Sequence, residues 1–274
     1  MKKFFRCCTI VLGAGIGLFL LAGLVLYVVG MQKLTKAYPD IPVQTITIPT
    51  DEAAIARGKH IAITWSCTSC HGDDLSGTLV EDNSFLGTIP GSNLTSGEGG
   101  VGKYYTDIDW IRAIRHGVKL NGRVEIKMGN YYVMSDQDLG DLIAYLKQVP
   151  PVDSDLPNMH IGWTLPLAPA LGYEVPSAEQ IDHDAARPVA PTADATVEYG
   201  NYLSTICMGC HSANLSSKLS GWSQADFFRM MQTGGLPNGG QVGSGMPSYR
   251  EMNDTELTAL WLYFQNLPPS GSQK

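Results

Sequence analysis

The sequence predicts an all-α protein: two tandem copies of one helical domain behind a single N-terminal membrane-spanning helix. Three observations predict it. Two short words, CTSCH at residues 67–71 and CMGCH at residues 207–211, are nearly alike. Two longer stretches, MGNYYVMSDQDLGDLIAYLKQVPP from Met128 and MPSYREMNDTELTALWLYFQNLPP from Met246, align at a constant offset, pairing Met128 with Met246, Met134 with Met252, Leu142 with Leu260, Tyr145 with Tyr263 and Pro151 with Pro269. Self-similarity of this kind marks a repeated structural unit. Thirdly, residues 7–31 contain no charged side chain.

Residues 1–6 carry Lys2, Lys3 and Arg6. The apolar run at 7–31 follows, and a bilayer core needs about 20 apolar residues in a helix. Flanking positive charge places residues 1–6 in the cytoplasm and everything after Met31 outside. A cleaved signal peptide is the rival reading, but its apolar region is shorter, about 7–15 residues, and ends at a small-residue cleavage site. No good A-x-A precedes Lys33, so a retained anchor is expected, in the cytoplasmic membrane of a prokaryote with the domains on the outer face. Residues 32–50 form a linker.

The first domain is expected at residues 51–152. A helix at 52–65 leads into the first CxxCH word. Thr106-x-x-Asp109 has the form of a helix-capping box and precedes Trp110, Ile111 and Ile114. Ser135-x-x-Asp138 precedes Leu139, Leu142, Ile143 and Leu146, at helical spacing. Strand patterns are weak. Residues 153–191 form a Pro-rich linker, semi-rigid by composition; residues 149–191 hold eight of the sixteen prolines. The apolar patch within 161–171 is expected to pack on one or both domains. The second domain, residues 192–270, repeats the plan: a helix at 196–206, Ser223-x-x-Asp226 before Phe227, Met230 and Met231, and Asn253-x-x-Glu256 before Leu257, Leu260, Trp261 and Phe264. From each CxxCH word to its matching Met the first copy is longer, and the extra residues, including the Gly-rich 90–102, fall before its second helix. No Lys-Ser/Thr follows them and no strand precedes, so a phosphate cradle is a poor reading; a loop folded around the edge of the group that the CxxCH word holds is expected.

The formal charge is −7. Residues 1–50 carry a positive excess, so the remainder is strongly acidic, which argues against a nucleic-acid partner. Of six cysteines, four lie in the two words, and Cys7 and Cys8 lie at the inner membrane edge.

Two thiols three residues apart, followed at once by an imidazole, suit attachment of a haem by two thioether bonds with its iron ligated from one face. Cys67, Cys70, Cys207 and Cys210 are the expected attachment points of two haem c groups, with His71 and His211 on iron. A redox dithiol would want a βαβ context and a zinc site would need the two words to converge; neither is in evidence. Met128 and Met246 are the expected second axial ligands, while Met134 and Met252 read as helix-entry packing residues. A Met thioether opposite His favours ferrous iron and closes the site to substrate. His116 is a reserve ligand; His60, His160 and His183 read as surface or structural. The carbonyl of Pro90 is the expected acceptor for the far nitrogen of His71. Trp65, Tyr104, Trp110, Tyr131, Trp222, Tyr249 and Trp261 are expected to wall the pockets.

With these words and methionines the chain resembles class I c-type cytochromes, and looks like a membrane-anchored dihaem cytochrome c. Asn93-Leu94-Thr95, Gly99-Gly100-Val101-Gly102 and the run from Trp110 to Gly117 are similar to the cytochrome subunits of membrane-bound alcohol and aldehyde dehydrogenases. The chain departs from those subunits in having two haem words instead of three and an N-terminal anchor, and its first ligand Met lacks a following Pro. The resemblance implies an electron carrier and not an enzyme. Its donor would be a dehydrogenase or a quinol-oxidising complex, and its acceptor a terminal oxidase. The alternatives are a dedicated haem subunit of a dehydrogenase or oxidase complex, or a haem enzyme such as a dihaem peroxidase.

Overall fold

The computed structural model describes residues 2–208, 211, 215–243 and 245–268; of the expected positions, Cys210 and Pro269 lie outside them. Helix α1 (Lys2–Leu34) carries the apolar run and stands clear of the rest over most of its length. It is long and apolar enough to cross a membrane. The body is mostly helical and holds two large apolar cores.

The first core is built by α2 (Glu52–Thr64), α4 (Asp107–His116) and α5 (Asp136–Leu146). Each starts where a side chain caps it. Asp51 accepts from the Ala54 N–H, Thr106 and Asp109 close a reciprocal box, and Ser135 accepts from the Asp138 N–H. Such caps satisfy backbone donors that the helix itself leaves orphaned. Helix α4 ends at Gly117, whose φ of 63° is left-handed. The apolar stripe of α5 buries Leu139, Leu142, Ile143 and Leu146 against Trp65, Trp110 and Met134. Each such side chain contributes about 1.5–3 kcal/mol on burial. Met134, as expected, is a fully buried packing residue.

The second core repeats this with α7 (Val197–Met208), α9 (Gln224–Thr233) and α10 (Asp254–Asn266), with the one-turn α8 (Leu215–Lys218) adding Leu215. Ser223 with Asp226 and Asn253 with Glu256 form the boxes that the sequence signals. In both copies the first helix packs on the last, α2 on α5 and α7 on α10, and they cross at Gly58 and Gly200.

The longer stretch in the first copy differs from expectation. It contains an antiparallel hairpin, β1 (Thr78–Asn83) and β2 (Gly87–Gly91), with a bulge between Leu79 and Glu81. The linker adds a third strand, β3 (His160–Ile161), paired Gly87 with Ile161 and Thr88 with His160. Beyond it the short helix α6 (Leu167–Ala170) packs on α1. The linker is thus held along the first copy. Arg187 reaches Asp136 at 3.1 Å and donates to the Thr45 carbonyl.

The two copies touch through specific groups. His60 on α2 meets Glu256 on α10 at 2.8 Å. The Tyr202 hydroxyl donates to the Asp138 carboxylate and accepts from the Ser135 N–H at 3.0 Å. The Tyr202 ring stands edge-on to Trp65, centroids 5.4 Å apart. The Ser66 hydroxyl, next to Cys67, donates to the Tyr249 hydroxyl at 3.4 Å.

Candidate functional site

Helix α2 runs out at Trp65, and Ser66 turns the chain with a left-handed φ of 63°. The first CxxCH word then forms its own short helix, α3 (Cys67–His71). A single turn puts Cys67, Cys70 and His71 on the wall of one cavity, with about 900 Å³ of atom-free space including its mouth. Cofactor and ligand pockets run to roughly 300–1,000 Å³.

The opposite parts of the wall come from elsewhere. The loop after the hairpin supplies Ser92, Leu94 and Val101, helix α4 supplies Trp110, and the chain before α5 supplies Met128 and Tyr131. The Gly-rich stretch therefore does border the cavity. Gly91 is needed there, since a Cβ would lie 2.0 Å from the Cys70 carbonyl oxygen.

His71 Nδ1 is bonded to the Ser92 carbonyl at 2.7 Å. The acceptor is Ser92, not Pro90: Pro90 lies within β2, paired with Leu79, and Ser92 is the first residue after the strand. A carbonyl acceptor fixes the proton on Nδ1 and leaves Nε2 as the lone-pair nitrogen. Burial lowers the pKa of His71, which keeps the ring neutral.

The thiols are poorly suited to redox exchange. Burial pushes Cys67 up to about 12, and it raises Cys70 as well. A reactive dithiol needs a depressed pKa in an electropositive, accessible place. Among the described residues no group of three or more His, Cys, Asp and Glu side chains converges as a metal site.

Polar atoms on the cavity wall fit a carboxylate-bearing haem. The Trp110 indole Nε1 is buried and has no hydrogen-bond partner. Unpaired buried donors of this kind are costly, and a ligand acceptor removes the cost. Tyr105 lines the same wall, and burial raises its hydroxyl to about 12. Glu125, also lining the cavity, is raised by burial against the pull of Lys119.

Several expected residues sit elsewhere. Tyr104 is exposed, and its neighbour Tyr105 takes the wall position, because the 3₁₀ turn at Val101–Lys103 rotates the pair. Trp65 is buried behind Tyr131 as core. The reserve ligand His116 does not line the cavity: its Nδ1 lies 3.0 Å from Nδ1 of His183 in the linker. Burial first, then the charge of His183, lowers His116 to about 4. His60, read as surface or structural, is structural: it is one half of the contact with Glu256.

In the second copy Cys207 is buried at the end of α7, and the His211 N–H donates to its carbonyl at 2.9 Å. Met246 packs against the second core with Trp222 and Trp261, and Met252 is buried in it. Tyr249, three residues after Met246, is the residue that reaches Ser66 of the first copy.

Residues 55–150 match the cytochrome c family. The chain is 33% identical to the gluconate 2-dehydrogenase cytochrome c subunit of Pantoea cypripedii, over 59% of this chain and 38% of the relative. It is 26% identical to the cytochrome c subunit of a quinone-dependent alcohol dehydrogenase of Gluconacetobacter polyoxogenes, over 81% of this chain and 58% of the relative. It is 24% identical to the fructose dehydrogenase cytochrome subunit of Gluconobacter japonicus, over 81% and 55%. The chain thus spans at most about three fifths of these relatives. A cytochrome c domain implies covalently bound haem c.

Proposed function

We propose that this chain is a membrane-tethered dihaem electron carrier, with residues 51–152 and 192–270 as its two haem domains, joined by the linker at 153–191. The observation that carries the reading is the cavity that gathers Cys67, Cys70, His71 and Met128 on one wall system, in a chain that repeats the same word and methionine. Bound haem supplies a one-electron ferric–ferrous couple.

The residues divide the work. Cys67 and Cys70 would attach the first group and His71 with Met128 would hold its iron. Cys207 and Cys210 would attach the second, with His211 and Met246 as its ligands. Ser92 orients the His71 ring. Trp110 would offer its unpaired N–H to a polar group of the bound haem, and the apolar wall from Leu94, Ile114 and Leu142 would exclude water.

The chain would then relay electrons from a dehydrogenase or quinol-oxidising donor to an acceptor such as a terminal oxidase. Helix α1 would cross the cytoplasmic membrane once and keep both domains on the outer face. The relatives' names favour a narrower version, in which the chain is the cytochrome subunit of a dehydrogenase complex. Stable co-purification with a catalytic subunit would select that version.

The deciding experiment is visible spectroscopy of the purified ferric protein with its haem-to-protein ratio, repeated for Met128→Ala and Met246→Ala. Two haems, with the sulfur-to-iron band lost in equal shares, are expected. Thiol titration of the unfolded holoprotein should find only Cys7 and Cys8 of the six cysteines. One haem per chain, or four free thiols, would refute the dihaem reading.

A further inference from the structure

The outer end of α1 is embedded in protein before it leaves the membrane. The uncharged run at residues 7–31 is about 37 Å of helix, against a hydrocarbon core of about 30 Å. With Lys2, Lys3 and Arg6 held at the inner face, the outer hydrocarbon boundary falls near Leu26. One face of α1 is already covered there. Gly23, Leu26 and Tyr27 are partly shielded and Gly30 and Leu34 are buried, a spacing of three and four residues. Helix α6 packs on α1 so closely that a Cβ on Gly30 would lie 1.6 Å from the Pro166 carbonyl oxygen. The Lys33 ammonium donates to the Pro169 carbonyl at 2.8 Å. Leu34 is buried with Leu165 and Ile89, and Leu86 and Ile161 pack on them. Helix α6 and its flanks are therefore held at the depth of the lipid headgroups.

The surface at that depth is apolar. Leu171 and Tyr173, just past α6, are 59% and 70% exposed. Trp163 and Phe85 are 62% and 59% exposed, yet they stack on each other edge to face with centroids 5.9 Å apart. They are not loose tips: the Thr164 N–H and hydroxyl both donate to the Phe85 carbonyl, at 3.1 and 2.8 Å. Trp and Tyr are the side chains that settle at membrane–water interfaces.

We infer that Phe85, Trp163, Leu171 and Tyr173 form a second membrane contact, seated in the outer-leaflet interface beside α1. The occupant is lipid, because the segments that carry the patch pack directly on the outer end of the membrane-spanning helix, α6 on α1 and Leu86 and Ile161 beside Leu34. Glu81, Asp82 and Glu174 lie close by in sequence, so the contact is apolar and gains nothing from anionic headgroups. It holds the first copy in one orientation over the bilayer. The inference rests on α1 spanning the membrane.

The test uses the haem-loaded full chain in phosphatidylcholine vesicles whose acyl chains carry a diazirine near the headgroup. After illumination, labelled peptides are mapped by mass spectrometry. Label is expected on α1, on the peptide holding Phe85 and on residues 163–173. The doubly substituted Phe85→Ser, Trp163→Ser chain should lose the patch label and keep that of α1, with its haem absorbance unchanged; Leu171→Ser with Tyr173→Ser is the second variant. Label on α1 alone overturns the inference, including the case in which a second copy or another protein covers the patch. No label on α1 overturns the membrane-spanning reading instead.

Discussion

Gly58 and Gly200 hold the same place in their two copies: a Cβ on either would lie 1.9 Å from a backbone carbonyl oxygen of the last helix, that of Asp141 or of Ala259. Backbone cannot rotate away as a side chain can. Gly58→Ala and Gly200→Ala should each force the helix pair apart. Overpacking typically costs about 1–3 kcal/mol, and this contact lies at the upper end or beyond. For a domain of this size that lowers the melting midpoint by roughly 10 °C or more. Thermal melts of the two variants check it; a shift under a few degrees would contradict the crossing geometry.

The His60–Glu256 pair gives the contact between copies a pH dependence. The hydrogen bond to Glu256 raises the pKa of His60, against a smaller opposing effect of burial. The folded protein thus holds this proton more tightly than the unfolded chain. The stabilisation is fully present below the unfolded value near 6.5 and is lost as pH rises through the raised folded value. His60 is about a third exposed, so solvent screening limits the gain to under about 1 kcal/mol. Unfolding midpoints from acid to alkaline pH should show this loss in the native chain and not in His60→Gln.

Tyr202 should matter more. Its hydroxyl serves both the Asp138 carboxylate and the Ser135 N–H at the start of α5. Asp138 is buried enough that desolvation raises its pKa in spite of that bond. Tyr202→Phe takes this partner from the buried Ser135 N–H and from the part-buried Asp138 carboxylate, which keeps Ser135, at about 1–3 kcal/mol. Denaturant titration should show the loss, and faster proteolysis within the linker should accompany it.

Lys127 stands before Met128 with a φ of 61°, a left-handed conformation that strains any residue but glycine. Its ammonium is held by Glu81 at 3.2 Å and Glu174 at 3.4 Å. Lys127→Ala removes the hold and keeps the strain. The Met128 loop should loosen, and the first copy's share of the sulfur-to-iron band should fall while the second copy's stays.

Local signals were legible and long-range ones were not. The helix starts at Thr106, Ser135, Ser223 and Asn253 were readable because a cap and its partner lie three residues apart in sequence. The hairpin was missed: β1 reads TLVEDN, which lacks alternation, and β3 is two residues borrowed from the linker. Assigning the His71 acceptor needed the strand's end, and so fell two residues short of Ser92. The role of His60 depends on Glu256, nearly two hundred residues away, and no local pattern announces such a pair.

The linker's attachment to the first copy has a thermodynamic consequence. With β3, α6 and Arg187 all fastened there, residues 188–196 are what joins the first copy to α7. Nine extended residues reach roughly 30 Å. If the second copy lets go, it cannot diffuse beyond that radius, and its effective concentration at the docking face is of millimolar order. Contacts with a dissociation constant below that concentration, too weak to pair two separate molecules at micromolar levels, are therefore enough to keep such a pair closed.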